Sequence, residues 1–144
     1  MDAHVERPTV SIASTSNLRR RWRVIAALIL AGSFIQACFA GAMLSGAGWA
    51  LTAHSAAAAV LIAATIAAGL VSVVTLRRIP HGPKLGLTLL SLAAVVCIQA
   101  AIGALSAKGA NLLWVHVPLG VAVFGVAAWG VAGARKLGGN DLTQ

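Results

Sequence analysis

Long uncharged apolar runs alternate with short basic clusters along the chain. The runs cover residues 24–44, 53–76, 85–105 and 112–134. Each matches the roughly 20 apolar residues that a helix needs to cross a bilayer. Alternation of period two is absent, which argues against a membrane β-barrel. The connections are short, so consecutive helices run antiparallel. The pattern predicts an all-α fold: an integral membrane four-helix up-down bundle over residues 21–136. Residues 1–20 read as a disordered polar tail and 137–144 as a second, shorter tail.

Composition supports that reading. Of 144 residues, 59% are hydrophobic and 10% charged, and mean hydropathy is +0.89. A soluble domain of this size does not carry so much apolar surface. Eleven Lys and Arg against three acids give a net charge of +8. The cations fall in clusters between spans, which is a topogenic pattern and not that of a nucleic-acid binder. Arg19, Arg20, Arg21 and Arg23 precede the first span. Arg77, Arg78 and Lys84 separate the second from the third, Arg135 and Lys136 follow the fourth, and the other two connections hold only Lys108. The positive-inside rule then makes both termini and the middle connection cytoplasmic, as expected for a multi-pass protein of the bacterial inner membrane. Trp49 and Trp114 fall at the outer interface and Trp22 at the inner one. Cys38 and Cys97 lie within apolar runs and read as small buried residues rather than a disulfide. The basic start of the first span suits a signal peptide. Its apolar run exceeds the usual h-region of about 7–15 residues and no A-x-A site follows, so it reads as a retained anchor.

The chain also repeats itself. "FIQACFAGAMLSGAG" (34–48) aligns with "CIQAAIGALSAKGA" (97–110), placing Ile35-Gln36-Ala37 against Ile98-Gln99-Ala100 at an offset of 63. Gly41 and Gly103 follow at nearly equal distances. Each half then sets a Trp and a His at the start of its next span: Trp49 and His54, then Trp114 and His116. Both halves enter from the same side, which predicts two parallel two-helix repeats about an axis along the membrane normal.

Such a repeat brings His54 and His116 to one depth on helices that can face each other across the core. Two neutral imidazoles in an apolar bundle suit haem iron, with one axial ligand from each side. Ala58 and Gly120, one turn after each histidine, leave room for a porphyrin edge. Gln36 and Gln99 either hydrogen-bond across helices or support the histidines or the cofactor from behind. A bare zinc site lacks ligands. The plain alternative is a pair of interfacial histidines bonded to loop carbonyls or water. His81, in "RRIPHGPK", and His4, in the tail, are given no chemical role, and Pro118 reads as a helix starter.

A histidine at the outer start of helices two and four, in a two-plus-two repeat with the "IQA…G" segments, resembles one half of the haem A synthase family over residues 24–134. That resemblance implies a four-helix haem-binding bundle with His54 and His116 as axial ligands. It does not carry the family's chemistry. An acidic residue stands three positions before a ligand histidine in the synthases, whereas Leu51 and Leu113 stand there here, and no Asp or Glu lies between residues 7 and 140. The expectation is therefore a b-type haem protein without catalytic activity of its own, engaged in electron transfer or haem handling near the outer face. Its partners would be the lipid bilayer and a redox protein or a quinone, with self-association left open. The alternatives are a non-haem membrane scaffold or assembly subunit and, with no buried acid to couple ions, a small transporter.

Overall fold

A computed structural model describes residues 12–137 of the chain. His4, Arg7 and the tails at 1–11 and 138–144 lie outside the described residues. Four helices follow one another: α1 (Ile12–Leu44), α2 (Ala50–Thr75), α3 (Gly82–Ala107) and α4 (Leu113–Arg135). All four are long and apolar enough to cross a membrane. At 1.5 Å rise per residue, the 23 residues of α4 extend about 35 Å, enough to span a hydrocarbon core of about 30 Å. The chain is a multi-pass membrane protein built as a four-helix bundle.

The helices form a closed ring. α1 packs on α2 and α4, α3 packs on α2 and α4, and the diagonal pairs α1/α3 and α2/α4 have no close backbone contact. Antiparallel order gathers the basic clusters at one end, where Arg23 donates to the Arg135 carbonyl at 3.4 Å. That end is called the basic end below, and the opposite one, with Lys108, the far end.

Buried residues concentrate in the basic half and the middle of the bundle. Trp22, Ala26 and Ile29 of α1 join Leu61, Ala68, Leu85, Leu89, Leu92, Val96, Val123, Ala127 and Ala134 in one cluster. α2 and α3 approach most closely there. A Cβ on Gly69 would stand 2.7 Å from Leu90, and one on Gly86 would stand 3.1 Å from Ser72 and Val73. Small residues let helix backbones meet where lipid removes the hydrophobic drive for association. The buried hydroxyls of Thr65 and Ser72 donate within their own helix, to the carbonyls of Leu61 and Gly69. In the far half, by contrast, none of residues 34–49, 51–60 or 97–122 is buried, and Ala50 alone is enclosed.

Four features differ from the sequence reading. α1 begins at Ile12, so residues 12–20 are helical and not a disordered tail. No Pro or Gly interrupts the chain between Pro8 and Gly32, and a nucleated apolar helix propagates through arginines, which are good helix formers. Trp22, expected at the inner interface, is 3% exposed and packs in the core cluster near the basic end. Leu137, assigned to the second tail, is 1% exposed in the same cluster, because α4 ends where the helices still pack. Pro118 is not at the helix start: it lies inside α4, in its second turn, and leaves the carbonyl of Trp114 without its usual donor.

Candidate haem site at the far end

The far end is organised by two matching turns. Gly46 and Gly109 both take positive φ, +85° and +97°. Gly46 N–H donates to Met43 and Ala47 N–H to Ala42; Gly109 N–H donates to Ser106 and Ala110 N–H to Leu105. Each set is the paired bonding of a Schellman helix end, which needs a residue that tolerates left-handed backbone. Every member of the second turn lies 63 residues after its counterpart. The ends of α1 and α3, and the starts of α2 and α4, keep the same offset.

These turns return α2 and α4 into the bundle with a histidine in the first or second helical turn. The imidazoles of His54 and His116 meet across the α2/α4 diagonal, with ring centres 6.4 Å apart and planes inclined at 71°. They lie 62 residues apart, one short of the turn register. One residue is about 100° of helix rotation, so the two rings are held differently. His54 Nδ1 bonds the Gln36 carbonyl at 3.2 Å. A carbonyl only accepts, so Nδ1 carries the proton and Nε2 presents a lone pair. In the second half the side chain of Gln99 donates instead, through Nε2, to the His116 carbonyl at 2.6 Å. Both glutamines thus bond across helices, Gln36 through its backbone.

Unpaired polar atoms collect at the same place. Gln36 Oε1, Gln99 Oε1 and His116 Nδ1 are buried without a hydrogen-bond partner. Such groups are costly in an apolar setting, and their clustering marks a place where a bound group would be welcome.

The spacing also suits a shared metal. A first-row metal–imidazole bond is about 2.0–2.1 Å and a ring nitrogen lies about 1.2 Å from the ring centre, so two axial rings stand about 6.4 Å apart, centre to centre. Rotation about each bond leaves the angle between the planes free. Among the described residues no group of three or more His, Cys, Asp and Glu gathers. The donor set is therefore two imidazoles, which fits a metal whose other ligands come from a macrocycle. The far half is rich in Ala and Gly, and none of its residues except Ala50 is buried.

The other expected residues fall as follows. Ala58 is half-buried one turn after His54. Gly120 faces the Gln99 amide, which a Cβ would approach to 3.1 Å, so its small size serves the Gln99–His116 contact. Leu51 and Leu113, where the synthases carry an acid, are 50% and 44% exposed on the outside of the bundle. Trp49 and Trp114 are exposed at the far end as expected, whereas Cys38 and Cys97 are exposed rather than buried, since their helix faces meet lipid. His81 lies at the basic end. Gly103 carries more than its part in the repeat: a Cβ there would stand 2.8 Å from His116 Cε1, so glycine lets the ring lie against α3. Its one-turn spacing from Gln99 was the available signal.

Compared with family models, curated proteins and solved structures, the chain matches none.

Proposed function

We propose that this chain is a membrane-embedded haem b protein that carries electrons or handles haem near the far face of the membrane. The observation that carries the reading is the 6.4 Å approach of His54 and His116 in the half of the bundle that encloses almost no side chains. His54 and His116 would hold the haem, and a haem held by two histidines would supply one-electron transfer. The chain's own residues set the conditions. The Gln36 carbonyl would fix the His54 tautomer and leave Nε2 as the nitrogen able to hold a metal. Gln99 ties α3 to α4 beside His116 and so holds the second ring at depth.

The shared 63-residue offset of turns and helix ends supports an origin by duplication of one two-helix unit. Basic clusters at one end support a cytoplasmic position for that end and for both termini, in a bacterial inner membrane. The far end, with the histidine pair, then faces outward. What remains of the likeness to haem A synthases is the two-histidine bundle, without the acid that their oxidation chemistry uses.

Absorbance of the purified protein from haem-replete cells tests the reading. The expected result is a Soret band with the sharp visible bands of a reduced low-spin haem. Protein that purifies folded without a Soret band, and gains none on haem titration, removes the cofactor and leaves the histidine pair as a packing contact of a membrane scaffold.

A further inference from the structure

The basic end holds nine cations, from Arg19 to Lys136, while no Asp or Glu lies among the described residues. The α2–α3 loop concentrates three of them. Arg77, Arg78 and Lys84 line an open cleft of about 490 Å³ together with His81 and two prolines. The backbone of the loop that carries them is closely held. Ile79 N–H donates to the Leu76 carbonyl at 3.0 Å, and Gly82 N–H to the Ile79 carbonyl at 2.8 Å. Leu76 is fully buried, and a Cβ on Gly82 would collide with its carbonyl oxygen. His81, at φ +62°, is the one non-glycine residue with positive φ among the described residues. Sparsely populated backbone of this kind persists where the surroundings over-determine it. Cations gathered on one short loop repel one another, and an anion relieves that repulsion.

We propose that this cleft binds the phosphate of an anionic phospholipid in the leaflet at the basic end. The arginine forks suit phosphate oxygens, and Lys84 adds a point charge. The position favours a lipid over a soluble anion. Arg77 lies two residues beyond the end of α2, an apolar helix long enough to cross a membrane. Val74 and Leu87, one turn from Arg77 and Lys84 toward the membrane, are 67% and 66% exposed and offer an apolar path for acyl chains. A free phosphate would use only the polar half of this surface. The site stands apart from the histidine pair and does not depend on haem.

Native mass spectrometry of the detergent-solubilised full chain, incubated with dioleoyl phosphatidylglycerol or dioleoyl phosphatidylcholine, tests the proposal. Phosphatidylglycerol is expected to be retained at least about tenfold better, given three cations acting at the surface. Arg77→Lys with Arg78→Lys keeps the topogenic charge but removes the forks, and should lower that retention several-fold. Arg20→Lys with Arg21→Lys should leave it unchanged. If the first pair loses helicity by circular dichroism, Lys84→Gln, at an exposed position, gives the same test. Equal retention of the two lipids, unchanged retention in the cleft variants, or an equal loss in the α1 variants overturns the assignment. Displacement of the lipid by equimolar inorganic phosphate also overturns it, because the cleft would then be a free-phosphate site.

Discussion

Replacing Gly103 by alanine perturbs the histidine pair without altering either ring. The new Cβ would stand 2.8 Å from His116 Cε1 and 3.4 Å from both ring nitrogens. Carbon atoms in good contact lie about 3.5–4.0 Å apart, so either the ring retreats by roughly 0.7 Å or α3 backs away. Metal–ligand distances are held to about 0.2 Å, so a displacement of that size takes His116 out of an axial position. Stability moves less, because two effects oppose. Alanine gains about 1 kcal/mol of helix propensity over glycine, and overpacking costs about 1–3 kcal/mol; the net lies between neutral and about 2 kcal/mol destabilising. Gly41→Ala is the control. A Cβ at 41 meets nothing within 4 Å, so it should add about 1 kcal/mol of stability and leave any spectrum alone. The assay is absorbance of the haem-loaded protein together with its thermal midpoint in detergent. Gly103→Ala should lose the low-spin spectrum while the protein stays folded, and Gly41→Ala should keep it. Should Gly103→Ala retain the wild-type spectrum and gain the same stability as Gly41→Ala, the packing of His116 against α3 would be refuted.

Three further outcomes are expected. His54→Ala and His116→Ala should each abolish or strongly alter the haem spectrum, whereas His81→Ala, at the basic end, should leave it unchanged; loss with His81 alone would sink the ligand assignment. Reporter fusions after Leu76 and after Arg135 should read cytoplasm and one after Gly48 the outside, since ten of the 11 basic residues lie on one side; a cytoplasmic signal at Gly48 would reverse the orientation. Leu89→Ala, at a 1% exposed core position, should cost about 1–2 kcal/mol in reversible unfolding, less than the 2–5 kcal/mol of a soluble core, because the lost term is packing and not transfer from water. Val121→Ala, 71% exposed, should change stability by under about 0.5 kcal/mol, and equal effects at the two sites would mean that the core is misplaced.

Hydropathy alone fixed the number of spans. The expected starts and ends of α2, α3 and α4 fall within three residues of those observed. The two far-end turns were equally legible, since Gly46-Ala47 and Gly109-Ala110 follow apolar runs at the same offset. The helix N-terminal to Val24 was not, because polar arginine-rich sequence carries no apolar period while still propagating a helix already begun. The sequence shows a histidine near the start of α2 and another near the start of α4. The ring order of the helices, which sets α2 and α4 on a diagonal, decided that they meet. Tertiary structure also decided that Trp22 and Leu137 are inside, that Gly103 and Gly120 fit around His116 and Gln99, and that buried residues concentrate in the basic half and the middle of the bundle. The reason lies in the solvent. A helix in water shows its buried face as an apolar stripe, but a helix between lipid and protein is apolar all round, so its inward face leaves no period to read. Only the packing of small residues against large ones, such as Gly69 against Leu90 and Gly86 against Val73, selects which face turns in, and that selection exists only once the helices are together.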